Sequence, residues 1–179
     1  MKSTLITGGA RSGKSRRAQE LALKTGDSVL FVATAEAGDE EMKRRIKAHR
    51  KVRPANWTTL EVTTQIGRNI TRNIGQAGIV IIDCITMLVN NVFQHHEETT
   101  DATLIEKAVV AEIKELIKCM EHSNARFIIV TNEVGLGIVP ADRVSRLYRD
   151  LLGKANQMLA EHADEVYLMV AGIPITIKK

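Results

Sequence analysis

An α/β fold, with a mostly parallel central sheet and helices on both faces, is predicted by three features of this 179-residue chain. Short apolar runs rich in branched residues alternate with segments of helical spacing, which is the signature of strand–helix–strand units and parallel pairing. Four of the five main runs lack polar alternation, as strands buried on both faces do. The first run leads directly into Gly8, Gly9, Ala10, Arg11, Ser12, Gly13, Lys14 and Ser15, which fit the pattern G-x-x-x-x-G-K-[ST].

The elements follow in order. Residues 4–7 form the first strand, and a helix runs from residue 14 to about residue 25. Strands are expected at 29–34, 79–83, 127–131 and 166–171, joined by right-handed crossovers. A helical run starts near Cys84. Leu104, Ile105, Ala108, Val109, Glu112, Ile113, Leu116 and Ile117 mark one long amphipathic helix, and Val144, Leu147, Leu151, Ala155, Met158 and Leu159 mark another. The tail at 173–177 alternates apolar and polar residues and is expected to add an edge strand. With no repeat, linker or low-complexity stretch, residues 1–179 read as a single domain.

Composition narrows the function classes. Hydrophobic residues are 44% and charged residues 26%, which is globular rather than disordered. Cys84 and Cys119 have no metal-ligand spacing and form no disulfide framework, so they read as reduced thiols of a cytoplasmic protein. The N-terminus passes straight into strand and loop without a signal segment, and no apolar run approaches the ~20 residues of a membrane span. A net charge of +4 suits polyphosphate. Aromatic residues are only 3%, which argues against a single-stranded nucleic-acid platform with its several stacking rings.

The glycine-rich segment carries the chemistry. Gly8 and Gly13 permit backbone conformations that turn a row of N–H groups toward phosphates, and the helix that follows adds its positive end. Lys14 supplies charge at the β/γ oxygens of a nucleoside triphosphate, and the Ser15 hydroxyl is placed to ligate Mg2+. In parallel sheets ligands gather at the carboxyl ends of strands. Those ends carry Thr34, Ala35 and Glu36, then Asp83, then Asn132 and Glu133. Asp83, closing an apolar run, suits a carboxylate that holds Mg2+ directly or through water, with a helix N-cap as its plainer role. Asn132 and Glu133 suit either nucleotide contact or the start of a turn.

Residues 39–57 crowd seven basic side chains: Lys43, Arg44, Arg45, Lys47, Arg50, Lys51 and Arg53. Helical spacing puts His49 on a face with Met42, Arg45 and Ile46. A histidine on such a face is ordinarily a packing residue. A neutral imidazole is nonetheless a competent nucleophile at phosphorus, and adjacent guanidinium groups would neutralise phosphoryl charge. His95 and His96 fall in what reads as a surface loop, and His122 and His162 sit near helix C-termini, where a partly charged ring suits the dipole.

Several segments together resemble the bifunctional adenosylcobinamide kinase and adenosylcobinamide-phosphate guanylyltransferase family of cobalamin biosynthesis. They are Thr7 with the glycine-rich loop, Ala33-Thr34, Arg45-Ile46-x-x-His49-Arg50-x-x-Arg53-Pro54-x-x-Trp57, Asp83-Cys84-Ile85-Thr86, Thr131-Asn132-Glu133-Val134-Gly135-x-Gly137-Ile138-Val139-Pro140, and Ala163-Asp164-Glu165-Val166. The resemblance implies a RecA-like, three-layer phosphate-loop NTPase fold. It implies two reactions: ATP or GTP phosphorylates adenosylcobinamide, and GMP then passes from GTP, through a histidine-GMP intermediate, to adenosylcobinamide phosphate.

It implies further that His49 is the guanylylated histidine. Nucleotide is held by residues 8–15, by Thr34, Ala35 and Glu36, by Arg50, Lys51, Val52 and Arg53, and by Glu61 and Asp83; relatives often carry Glu at the last position. The family's homotrimer implies that the basic helix meets a neighbouring subunit. Because the two reactions attack different phosphorus atoms, GTP is expected to bind in two registers, with Gly38 as a hinge for the helix bearing His49. Two other readings are a plain small-molecule kinase whose basic segment only screens phosphate, and a nucleic-acid switch protein.

Overall fold

β1 (Ser3–Gly8), α1 (Lys14–Leu23), β2 (Val29–Ala33), β3 (Thr58–Glu61), α2 (Ile66–Asn73), β4 (Ile79–Asp83), α3 (Ile85–Gln94), α4 (Ala102–Glu121), β5 (Arg126–Val130), α5 (Arg143–His162), β6 (Glu165–Val170) and β7 (Ile173–Lys178) follow one another along the chain. The structure is a computed structural model that describes residues 3–35, 40, 44, 53–96 and 101–179. Among these residues seven strands form one sheet in the order β3-β2-β4-β5-β1-β6-β7. All neighbours are parallel except β6 and β7, which form an antiparallel hairpin at one edge.

The apolar runs behave as strands buried on two faces. Ile6, Phe31, Ile79, Ile81, Ile128 and Val130 pack on one face with Ala18 and Ala22 of α1. Leu5, Leu30, Val32, Val80, Ile82, Phe127 and Ile129 pack on the other with residues of α2, α3, α4 and α5. Phe31 and Phe127 are among the largest fully buried side chains. Each stabilises the fold by roughly 1.5–3 kcal/mol relative to exposure.

Helix ends are set by identifiable groups. Asp101 caps α4 by accepting from the Thr103 amide at 2.8 Å, and Asp142 caps α5 through the Ser145 amide at 2.8 Å. α2 has no cap of its own. The nearly buried Glu112 of α4 supplies it instead, accepting from the amides of Gln65 at 2.9 Å and Ile66 at 2.8 Å. Gly67 lets α2 come close to α4: a Cβ there would lie 2.6 Å from the Glu115 carbonyl oxygen.

Two expectations change. β3 is a seventh strand, exposed and only four residues long, with no apolar run to announce it; it pairs in parallel with β2 at the sheet edge. His95 and His96 do not lie in a free loop. Their Nδ1 atoms donate to the carbonyls of Asn91 at 2.7 Å and Val92 at 2.8 Å, closing the end of α3. His122 and His162 do the same for α4 and α5, on Lys118 and Met158. The four described histidines thus add a side-chain donor to carbonyls of the last helical turns; those of Asn91 and Lys118 also accept the backbone amides of His95 and His122.

Candidate active site

The loop between β1 and α1 is shaped at its two ends by glycines whose backbone conformation side chains rarely adopt. Gly8 has φ of 141°, and a Cβ on it would lie 2.5 Å from the Met169 carbonyl oxygen. Gly13, with φ of 94°, is the N-cap of α1 and has no side chain to close the helix end. The loop is held from both neighbouring strands. The Glu133 amide donates to the Gly8 carbonyl at 3.1 Å from the end of β5, and the Gly172 amide donates to the Ser12 carbonyl at 3.0 Å from the β6–β7 turn. Ser12 is buried, and its hydroxyl has no hydrogen-bond partner among the described residues. A buried hydroxyl without a partner in a glycine-rich loop at a helix N-terminus fits a phosphate oxygen.

Lys14 opens α1 and is 7% exposed. Its Nζ donates to the Gly9 carbonyl at 2.6 Å, so the ammonium lies back along the loop. Burial lowers its pKa below the ordinary lysine value, while the charges of Cys84 and Asp83 push it back up. Ser15, the next residue, is half-buried at the same helix end.

Sheet register brings the other strand-end residues onto one rim. Glu61 pairs with Ala33, Ala33 with Asp83, Asp83 with Val130, and Val130 with Ile6, a single row across β3, β2, β4, β5 and β1. At ~4.8 Å between strands, Asp83 stands roughly 10 Å from Glu61 and from Ile6. Asp83 falls on the α1 face, as Ile79 and Ile81 do, and this is why it shares an electrostatic environment with Lys14. It is the last residue of β4. The N-cap of α3 is Cys84 instead, and Cys84 makes no side-chain cap.

Behind this rim lies a polar network that fixes the strand ends. The buried Thr34 hydroxyl accepts from the Cys84 amide at 2.8 Å and donates to the Cys84 carbonyl at 2.6 Å. Asn91 donates to the carbonyls of Thr34 at 2.8 Å and Thr63 at 3.0 Å. Around β5, the Thr131 hydroxyl donates to Asn156 Oδ1, Asn156 Nδ2 donates to the Asn132 carbonyl, and the Asn132 amide donates to the Thr86 hydroxyl. Burial pushes the Cys84 thiol up to about 11 and the Tyr148 hydroxyl, which donates to the Thr86 carbonyl, up to about 12.

At the far end of the rim, Arg53, Pro54, Ala55, Trp57, Thr59 and Glu61 line a cavity of about 550 Å³. The Arg53 guanidinium sits 3.7 Å from the centre of the Phe31 ring, and Phe31 and Trp57 stack at 6.4 Å and 22°. A planar cation, a stacked indole and a carboxylate around one opening suit a flat, hydrogen-bonding heterocycle.

The family model for cobinamide kinase / cobinamide phosphate guanyltransferase matches residues 4–177. The chain belongs to this family. Among its relatives is the bifunctional adenosylcobalamin biosynthesis protein CobU of Salmonella typhimurium, 41% identical over 97% of this chain and 98% of that protein. CobU of Escherichia coli is 42% identical, also over 97% and 98%, and CobP of Pseudomonas aeruginosa is 40% identical over 97% and 96%. The RadB recombinase shares the fold, with a TM-score of 0.52 at 15% identity over 93% of this chain and 73% of its own. The RecA-like architecture expected from the sequence is therefore present.

For a cobinamide kinase and guanylyltransferase the structure brings together most of the expected positions. Residues 8–15, Thr34, Asp83 and Glu61 share one edge of the sheet, with Arg53 at its outer end. Thr34 departs from expectation in one respect: its hydroxyl is taken up by the Cys84 backbone. His49, Glu36, Arg50, Lys51, Val52 and the Gly38 hinge lie outside the described residues, as does most of the basic stretch except Arg44 and Arg53. Sequence reasoning missed Asn91, Asn156 and Phe31 as supports of the site. A polar signal existed for Asn91, a lone amide on the buried side of an apolar helix. No helix is long and apolar enough to cross a membrane among the described residues.

Proposed function

We propose that this chain, as a single domain, performs both reactions of its family at one nucleotide site: phosphorylation of adenosylcobinamide by ATP or GTP, then transfer of GMP from GTP to adenosylcobinamide phosphate. The observation that carries this reading is the single rim. Its inner end is a phosphate cradle with Lys14, and its outer end is an Arg53–Trp57–Glu61 cavity suited to a base.

In the kinase step the cobinamide hydroxyl oxygen attacks the γ-phosphorus and the nucleoside diphosphate leaves. Lys14 and the amides of residues 9–15 take up charge on the phosphate oxygens. In the second step an imidazole nitrogen of His49 attacks the α-phosphorus of GTP and pyrophosphate leaves. An oxygen of cobinamide phosphate then attacks the His49-bound phosphorus and frees the imidazole. Arg50, Lys51, Val52 and Arg53 hold the nucleotide, and Thr34, Ala35 and Glu36 contribute to its binding. Thr34 contributes by fixing the backbone beside Asp83.

Ser15 and Asp83 would hold Mg2+, which supplies charge neutralisation at the β and γ oxygens. The donors fit, since magnesium takes a hydroxyl and one carboxylate together with substrate phosphates and needs no cage of protein ligands. We place the enzyme in the cytoplasm as a homotrimer. The test is double labelling. Label from γ-labelled ATP should appear in cobinamide phosphate, and label from α-labelled GTP should appear on the protein and leave it on adding cobinamide phosphate. Kinase activity without any protein-bound GMP would favour a plain kinase.

A further inference from the structure

The sequence suits Asn132 and Glu133 to two roles, nucleotide contact or the start of a turn, and the structure divides them. Glu133 spends its carboxylate on the turn, accepting from the Gly135 amide. Asn132 does not. Its backbone is held by side chains of two other elements: its amide donates to the Thr86 hydroxyl of α3 at 2.8 Å, and its carbonyl accepts from Nδ2 of Asn156 in α5 at 3.1 Å. Its own carboxamide makes no hydrogen bond among the described residues. Two neighbours thus fix the residue and leave its side chain uncommitted.

The backbone shows where that side chain stands. β5 and β1 stay in register beyond their last paired residues, since the Thr131 amide donates to the Ile6 carbonyl and, two steps on, the Glu133 amide donates to the Gly8 carbonyl. Asn132 is therefore opposite Gly8, the first residue of the phosphate loop, as Val130 is opposite Ile6. Side chains alternate along a strand. Val130 packs on the α1 face and the Thr131 hydroxyl reaches Asn156 on the other, so Asn132 returns to the face of α1 and Asp83. Asp83 pairs with Val130, two residues back, which puts Asn132 roughly 8 Å from it across neighbouring strands.

From this placement we infer that Asn132 is a further catalytic residue of the kinase step, its carboxamide Nδ2 donating to an oxygen of the γ-phosphoryl group. The inference rests on the function proposed above. With the loop on the triphosphate and Asp83 on the metal side of its β and γ oxygens, the γ-phosphoryl group lies between β1 and β4. The strand between those two is β5, and Asn132 stands at its end. A carboxamide suits the position because it donates without adding charge where Lys14 already supplies it, and it holds no titratable proton, so it steers the group and takes no proton. As the cobinamide oxygen bonds to phosphorus and the bond to the diphosphate oxygen breaks, charge spreads over the γ oxygens, and a fixed donor on one of them stabilises that arrangement.

Asn132→Ala and the equally shaped Asn132→Asp test it in the full-length enzyme. Kinase kcat should fall roughly 10²-fold in Asn132→Ala, and at least as far in Asn132→Asp, whose carboxylate would face phosphoryl oxygens. Affinity for the β,γ-methylene analogue of ATP should drop roughly ten-fold in Asn132→Ala, the size of one hydrogen bond to a charged group, while affinity for ADP stays as in the parent. The urea midpoint should not move, because the carboxamide bonds to none of the described residues. An unchanged ratio of analogue to ADP affinity overturns the contact, whether both hold steady or both fall. So does a loss of kcat that follows a lowered urea midpoint, which would make Asn132 a structural residue. A parent enzyme that prefers the triphosphate analogue but never phosphorylates cobinamide would contradict the proposed function instead, and the affinity ratio would still decide the contact.

Discussion

The Thr34 hydroxyl closes a two-way hydrogen-bond clamp on Cys84, accepting from its amide and donating to its carbonyl. The clamp joins the end of β2 to the residue after Asp83, so it fixes where that carboxylate stands. Thr34→Val keeps the shape and removes both bonds, leaving the Cys84 amide without its acceptor, while the Cys84 carbonyl keeps the Leu88 amide. We expect a loss of roughly 1–3 kcal/mol in urea unfolding, with kinase kcat falling more than the stability of the folded fraction explains. Thr34→Ser should recover most of both.

Lys14→Ala should damage both reactions, since each holds the triphosphate in the same loop. A fall of about 10²–10³ in kcat/KM for ATP is expected, and full retention of either activity would contradict a shared site. The lysine also sets a pH limb. Its pKa is lowered by burial, and the charged form is lost as pH rises through that value. The kcat/KM profile for ATP, which reports the free enzyme, should therefore fall on its alkaline side below the pH at which an ordinary lysine titrates. Lys14→Arg, whatever its residual activity, should lack that limb.

How much of this was legible in the sequence depends on whether the signal was local. The glycine-rich loop lies in consecutive residues and starts a helix, so the order of strand, loop and helix around residues 8–15 was legible from spacing alone. Five apolar runs gave the strands β1, β2, β4, β5 and β6 with ends shifted by a residue or so. β3 was hidden because its four residues carry no apolar run and take their pairing from β2. The role of Thr34 was hidden because its partner is a backbone fifty residues away. Glu112 read as one member of a helix face, whereas its carboxylate caps a different helix.

That cap makes α2 unusually dependent on α4. Glu112→Ala leaves the buried Ile66 amide without an acceptor and removes the partner of the Gln65 amide, and should cost roughly 1–3 kcal/mol. Gly67→Ala should cost a similar amount, about 1–3 kcal/mol, for a different reason, since its methyl group would meet the Glu115 backbone. Chemical unfolding of both variants checks this, and nucleotide binding of the folded protein should be retained.

Cys84 sits beside the nucleotide site without being a reactive thiol. With its pKa near 11, the thiolate fraction at pH 8 is on the order of 10² smaller than that of a free cysteine. Alkylation of the native protein by iodoacetamide, followed by peptide mass spectrometry, should label Cys84 correspondingly slowly. Denaturation should restore the ordinary rate, and rapid labelling of the folded protein would contradict the burial.

The central claim is that one phosphate loop serves two reactions, and that His49 makes the second possible. Intact-mass spectrometry of the chain after incubation with GTP and Mg2+, with the modified peptide sequenced, tests it most directly. A single GMP adduct located on His49, absent from His49→Ala while cobinamide phosphorylation persists, is the predicted result. No adduct, or an adduct on another residue, would contradict it.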